Sequence, residues 1–96
     1  MEDSYIKKLR SMSMRFDSMN IKKLAVFGSR VRGNAREDSD LDILIEFYKR
    51  PDLLELGQLY STFEDELGCK VDIVQPHRIY PALKASIMDE VLYVKE

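Results

Sequence analysis

The sequence predicts an α/β (α+β) fold, in which a small mixed β-sheet of three to four strands is flanked by helices. Segments with helical periodicity alternate with short runs of apolar and β-branched residues, which is typical of a sheet with helices packed on it. The chain has 96 residues, of which 45% are hydrophobic. We therefore expect one domain over residues 1–96 with a single modest core.

The first half of the chain predicts a helix, a strand and a second, short helix. An amphipathic helix is expected over residues 4–19, because apolar residues recur there at steps of three and four: Ile6, Leu9, Met12, Phe16 and Met19. The apolar run 24–27 predicts a buried strand that ends at Gly28. A short helix over 29–34 and a polar loop from Asn34 to Ser39 follow.

The second half predicts two more strands, two more helices and a last, edge strand. Leu41–Ile45 is a β-branched run, and Val71–Val74 is another, stopped by a proline. Between them, Pro51 and Asp52 open a helix that ends before Gly68, with an apolar stripe of Leu53, Leu56, Tyr60, Phe63 and Leu67. A shorter helix begins at Pro81 with Leu83, Ile87 and Val91 on one side, and residues 92–94 form the edge strand.

The positions of the polar residues predict how the strands pair. Gly28 lies at the carboxyl end of the first strand, whereas Asp40 and Asp42 lie at the amino end of the second. These residues form one site only if the two strands are antiparallel. The helix between the second and third strands is long enough for a right-handed parallel crossover, which brings Asp72 beside Asp42. The sheet is therefore predicted to be mixed.

The segment from Gly28 to Asp42 predicts a site for nucleoside triphosphates. On a strand, Asp40 and Asp42 point to the same face about 7 Å apart, and a divalent cation relieves their repulsion. Gly28 allows a close backbone approach to a ligand, and Ser29 adds a hydroxyl beside the start of a helix. The alternative is that the aspartates are solvated turn residues ahead of a strand.

A third carboxylate, Asp72, completes the predicted site. Two metal ions about 3.5–4 Å apart, bound by Asp40, Asp42 and Asp72, would stabilise the attacking and leaving oxygens of an in-line displacement. Asp72 would also help to deprotonate an acceptor hydroxyl. Since an unpaired carboxylate between Val71 and Ile73 is costly to bury, a metal partner is favoured over a purely structural role.

Other cation and phosphate motifs do not fit this segment. An EF-hand beginning at Asp38 would need glycine where Ile43 stands, and a P-loop beginning at Gly28 would need Lys-Ser/Thr where Asn34 and Ala35 stand. Three arginines lie close to the glycine: Arg30, Arg32 and Arg36. Arg30, next to Ser29, is the favoured phosphate ligand, while solvated surface charge is an equal alternative for the other two.

Composition narrows the class of partner. A net charge of −2 and a pI near 5.4 argue against an extended nucleic-acid surface. The chain has one cysteine, Cys69, so an intrachain disulfide is impossible, and it has no run of 18 apolar residues. We therefore expect a cytoplasmic protein with no membrane partner.

Two segments resemble the minimal nucleotidyltransferase (MNT) family of the polymerase-beta-type nucleotidyltransferase superfamily: Gly28-Ser29-Arg30-Val31-Arg32-Gly33-Asn34-Ala35-Arg36 and Asp38-Ser39-Asp40-Leu41-Asp42-Ile43. The resemblance implies the polymerase-beta-type fold, phosphate contact by Ser29, Mg²⁺ binding by Asp40 and Asp42, and Asp72 as the third acid. It also implies pairing with a HEPN-domain protein as a toxin–antitoxin system, in which some family members transfer AMP from ATP to a tyrosine of the partner.

The short chain leaves one wall of the predicted cleft open, so we expect a partner or a second copy to supply it. The leading hypothesis is a Mg²⁺-dependent transferase that moves an NMP, in particular AMP, to a hydroxyl of a helical HEPN-like partner. The second is a non-catalytic antitoxin that neutralises its partner by binding alone. The third is a small-molecule nucleotidyltransferase that needs a separate acceptor-binding subunit.

Overall fold

The computed structural model describes residues 4–33 and 40–96. Four α-helices are present in this part of the chain: α1 (Ser4–Met12), α2 (Ser29–Arg32), α3 (Leu53–Leu67) and α4 (Pro81–Glu90). Four strands form the sheet: β1 (Ile21–Phe27), β2 (Leu41–Phe47), β3 (Val71–Val74) and β4 (Leu92–Lys95). Three short 3₁₀ turns cover Ser13–Arg15, Asp17–Met19 and Pro76–Arg78. The predicted loop Asn34–Ser39, with Arg36 and Asp38, lies outside the described residues.

The sheet has the mixed pairing that the sequence predicts. Its strand order is β3-β2-β1-β4, with β1 antiparallel to both β2 and β4 and with β2 parallel to β3. The parallel pair is connected by α3, as a crossover requires. The edge position of β4 is also confirmed.

One face of the sheet packs on α1 and α3 and forms the core. Its centre includes Phe16 and Phe63, both fully buried, whose rings meet edge to face at 6.2 Å between centroids. From the strands the core takes Leu24 and Val26 of β1 and the odd-numbered side chains of β2: Leu41, Ile43 and Ile45. This alternation is the strand period of two, and it places Asp42 and Leu44 on the other face.

The first helix ends, and the first strand begins, at another residue than predicted. Instead of running to residue 19, α1 ends at Met12 and the two 3₁₀ turns follow it. The Ser13 and Ser18 hydroxyls donate to the carbonyls of Arg10 and Arg15 in this stretch, a local bonding that competes with regular helix. Asn20, at φ 67°, then turns the chain into β1, which starts at Ile21 rather than at residue 24.

The boundaries of α3 are close to the prediction, but its buried stripe differs. Asp52 caps the helix by accepting the Glu55 backbone N–H at 2.7 Å, and Gly68 ends it at φ 74°. The buried residues are Leu59, Phe63 and Leu67. Leu53, predicted to be part of the stripe, is 87% exposed, because it lies in the first turn, ahead of the buried part of the helix.

The last helix, α4, covers the second face of the sheet incompletely. None of its residues is fully buried, and Leu83 is 57% exposed. Val91, predicted to be on this helix, is extended at φ −68° and ψ 144° because the chain is already turning into β4. No helix in residues 4–33 and 40–96 has both the length and the apolar character that a membrane span needs.

Candidate active site

Three strands bring the predicted site residues to one end of the sheet. Asp42 of β2 is the direct register partner of Asp72 in the parallel β3. On its other side, Asp42 pairs with Phe27, the last residue of β1 before Gly28. The sheet therefore brings together Gly28, Asp42 and Asp72, which are far apart in the sequence.

Gly28 is required at its position for two reasons. Its backbone lies at φ +84° and ψ −155°, a conformation that residues with a Cβ rarely adopt. A Cβ on this residue would also lie 2.2 Å from Oδ2 of Asp42. The Gly28 carbonyl accepts the backbone N–H groups of Val31 and Arg32, both at 3.1 Å, and so starts α2. The glycine thus allows the backbone of this turn to lie directly against the Asp42 carboxylate.

The charges around Asp42 show that the other two carboxylates act on it. The pKa of Asp42 is raised, first by its burial and then by the negative charges of Asp72 and Asp40. Arg32 opposes the shift and Glu90 adds to it. Asp42 is half-buried, whereas Asp40, just before β2, and Asp72 are both exposed.

The exposure of Asp72 corrects one argument made from the sequence. We expected its carboxylate to be costly to bury between Val71 and Ile73, but it is exposed. Val71 is buried on the core side of the sheet, and the alternation along β3 turns the next side chain to the opposite, open face. A metal role for Asp72 therefore depends on its pairing with Asp42 and not on a burial penalty.

The donor set fits a metal bound together with a phosphate ligand. In the described part of the chain, no three His, Cys, Asp or Glu side chains converge closely enough to hold a metal alone. Magnesium characteristically uses one or two carboxylates together with substrate phosphates and water, rather than a complete cage of protein ligands. Asp40 and Asp42, whose oxygens are the hard donors that Mg²⁺ prefers, match that pattern.

The other predicted ligands lie on α2. Ser29 is its first residue and is half-buried, next to Gly28. Arg30 turns toward α1, where its guanidinium lies 4.6 Å from the centroid of the Tyr5 ring. Arg32 points to α4 and forms an ion pair with Glu90, at 3.0 and 3.2 Å from the two carboxylate oxygens.

Sequence reasoning missed Tyr5 and Glu90 as neighbours of the site. Tyr5 lies in the first helix, 25 positions from the arginine that it contacts. Glu90 is 58 positions from Arg32 and ends α4. Neither belongs to a motif, so their positions beside α2 become visible only in the folded chain.

Comparison with known proteins identifies the family. Residues 7–96 match the family described as polymerase beta, nucleotidyltransferase. The chain belongs to this family. It is a nucleotidyltransferase, and its mixed sheet flanked by helices is the polymerase-beta-type fold that the sequence resemblance implies.

Two relatives support the resemblance to minimal nucleotidyltransferases. The protein adenylyltransferase MntA of Thermococcus cleftensis is 38% identical over 78 residues, covering 81% of this chain and 79% of the relative. A candidate protein adenylyltransferase of Methanocaldococcus jannaschii, MJ0128, is 42% identical over 79 residues, covering 81% of each chain.

Solved structures have the same fold. A candidate minimal nucleotidyltransferase matches with a TM-score of 0.78 and 34% identity, covering 96% of this chain and 95% of its own. A toxin–antitoxin with AMP-PNP matches at 0.73 and 18% identity, covering 91% and 71%. A complex of a tri-AMPylated HEPN toxin of Shewanella oneidensis with its MNT antitoxin matches at 0.67 and 14% identity, covering 94% and 71%. The last two likenesses concern the fold alone.

Proposed function

We propose that this chain transfers AMP from ATP to a hydroxyl group of a partner protein and acts as the antitoxin of a HEPN/MNT toxin–antitoxin pair. The observation that carries the proposal is the register of β2 and β3, which pairs Asp42 with Asp72 directly in front of Gly28. The name of the Thermococcus relative, protein adenylyltransferase, supports the choice of AMP and of a protein acceptor.

The three carboxylates divide the chemistry between them. Asp40 and Asp42 would hold Mg²⁺, and Asp72 would contribute to a second ion of the same site. When bound, Mg²⁺ neutralises phosphate charge and makes the α-phosphorus more electrophilic. Asp72, which is exposed and pairs in register with Asp42, would accept the proton of the acceptor hydroxyl. The hydroxyl oxygen then forms a bond to the α-phosphorus, the bond to the β-phosphate oxygen breaks, and pyrophosphate leaves.

The turn at Gly28 would bind the phosphates. Its backbone is free of a side chain, and the Ser29 hydroxyl lies at the start of α2. Arg30 would add a positive charge from the same helix. Because its guanidinium lies on the Tyr5 ring, Arg30 would bind phosphate with an edge of the guanidinium or after leaving the ring.

The open face of the sheet explains the need for a partner. Asp40 and Asp72 are exposed, and the residues of α4 are at most half-buried. A nucleotide bound there would be desolvated on one side only, and a second protein would complete the cleft. We propose a helical HEPN-like protein for this role, in line with the complex of the Shewanella MNT antitoxin, and a second copy of the chain is the alternative.

Calorimetry tests the nucleotide site. ATP should bind in the presence of Mg²⁺ and at least about tenfold more weakly in EDTA or to Asp42→Asn, because the carboxylate and the cation bridge protein and phosphate. Asp65→Asn, at an exposed position on α3, removes the same charge away from the site and should bind like the wild type. Equal affinities under all conditions would refute the site assignment.

Mass spectrometry tests the acceptor. Incubation with labelled ATP, Mg²⁺ and the protein encoded by the neighbouring reading frame should raise the mass of that protein by whole AMP units. Asp40→Ala and Asp42→Ala should abolish the increase. If the wild type neutralises its partner with no change in mass, it acts by binding alone. If label appears only on an added small molecule, the chain is a small-molecule transferase.

A further inference from the structure

A cavity lies at the opposite end of the sheet from the carboxylates. It measures about 670 Å³ and opens between the end of β2, the turn Pro76–Arg78 and α4. Three positively charged side chains from three separate segments line it: Arg50, Arg78 and Lys84. Such a concentration is notable in a chain with a net charge of −2.

These cations are not neutralised by the part of the protein that the structure describes. No side-chain hydrogen bond or ion pair of Arg50, Arg78 or Lys84 occurs among residues 4–33 and 40–96. Among the described residues that line the cavity, Glu46 is the one acidic residue. Its carboxylate lies 3.9 Å from the Lys23 ammonium. The three like charges therefore create a positive potential that favours a negatively charged ligand.

An apolar groove continues from the basic cavity. It measures about 300 Å³, and it shares Gln75 and Arg78 with the cavity. Its walls include Leu53, which is 87% exposed, and the half-buried residues Leu56, Tyr60 and Ile73. Exposed aliphatic side chains next to tyrosine and arginine have the composition of a protein-binding surface.

We propose that the basic cavity and the apolar groove together dock an acidic, partly apolar segment of the acceptor protein. This inference rests on the proposed function, for which it supplies the means of recognising the partner. A free phosphate would occupy a small part of the cavity and would not use the leucines. Nucleic acid would need a longer basic stripe than these three residues provide.

The position of the cavity lets a docked protein reach the catalytic carboxylates. Asp42 and Glu46 lie on the same face of β2, because their separation of four residues is a multiple of the strand period. This separation corresponds to about 13 Å along the strand. A partner protein anchored at the cavity is therefore near enough to present a hydroxyl at Asp72.

The test measures binding of the protein encoded by the neighbouring reading frame. Arg78→Glu with Lys84→Glu should weaken this binding at least about tenfold, since attraction to the acidic segment becomes repulsion. Lys7→Glu, on the exposed side of α1, is the control for a charge reversal outside the cavity and should change binding less than about twofold. Leu53→Ser should weaken binding more than Met14→Ser, which removes a similarly exposed apolar side chain that does not line the groove.

Calorimetry of ATP on the same variants separates this inference from the proposed function. The charge-reversed double variant should bind ATP like the wild type, whereas Asp42→Asn should lose ATP and keep its partner. Partner binding that is equal in the double variant and in Lys7→Glu would overturn the docking inference, even if AMP transfer is observed. Loss of ATP binding in the double variant would also overturn it, by assigning the cavity to the nucleotide. A wild type that binds no co-encoded protein refutes the docking site and leaves the ATP measurement to decide the nucleotide site.

Discussion

The two faces of the sheet are covered by helices of different kinds. On one face, α3 buries Leu59, Phe63 and Leu67 and packs with α1 over the strands. On the other face, α4 has no buried residue. The first face supplies most of the apolar burial that stabilises the fold, whereas the second buries Leu44 but leaves Asp72 exposed.

On the open face, acidic and basic side chains are separated from each other. Acidic residues lie at one end of the open face, around Asp42, and basic residues line the cavity at its other end. Burying such charged side chains without partners would cost free energy. The incomplete coverage by α4 avoids that cost. In this chain, a poorly covered face therefore indicates function rather than weak folding.

The largest expected difference between the faces is in stability. Phe63→Ala should lower the free energy of unfolding by about 3–5 kcal/mol, because it removes a fully buried ring that contacts Phe16. Leu83→Ala on α4, 57% exposed, should cost less than about 0.5 kcal/mol. Urea denaturation measures both. A similar cost for the two variants would mean that α4 contributes to the core.

AMP transfer, unlike stability, should depend on the open face of the sheet. Asp72→Asn should reduce AMP transfer at least about a hundredfold, because the amide can neither accept the proton nor bind a metal as a carboxylate does. Its melting temperature should stay near that of the wild type, since the side chain is exposed. Asp65→Asn is the control for both measurements. Full transfer by Asp72→Asn would reduce Asp72 to a surface residue.

Gly28 connects stability and activity. Gly28→Ala should lose about 1–3 kcal/mol of stability from its positive φ, and its Cβ should displace the Asp42 carboxylate and weaken ATP binding. Gly57→Ala is the matched control. Gly57 lies in the helix α3, and a Cβ added to it meets no atom within 4 Å. It should raise stability by about 0.5–1 kcal/mol and leave ATP binding unchanged. Thermal melts and calorimetry would measure these effects.

The smallest expected effect comes from the raised pKa of Asp42. The folded state binds the proton more tightly than the unfolded chain, whose aspartate titrates near 3.8, so wild-type stability falls as the pH rises through the folded pKa. Asp42→Asn removes this penalty and should melt about 2–4 °C higher at neutral pH, a modest gain because solvent screens a half-buried group. The difference should disappear near about pH 3, below both pKa values. If Asp42→Asn is less stable than the wild type at neutral pH, burial and the charges of Asp72 and Asp40 do not destabilise the ionised Asp42.

Local rules of the sequence predicted most of the fold. The capped ends of α3 at Asp52 and Gly68 follow from side-chain and backbone preferences that act within a few residues. The pairing of β1 with β2 and of β2 with β3 followed from the requirement that Gly28, Asp42 and Asp72 meet. The end of α1 was predicted less well, because 3₁₀ turns preserve the burial of Phe16 without regular helical periodicity.

The sequence by itself determined the order of the elements, the mixed sheet and the family, because periodicity, turn residues and motif spacing are local properties. Only the tertiary structure decided that Asp72 is exposed, that Arg30 lies on Tyr5 and that three cations share one cavity. These features depend on contacts between residues tens of positions apart and on how far α4 covers the sheet. Such coverage results from the packing of whole elements, which no short segment of the chain specifies.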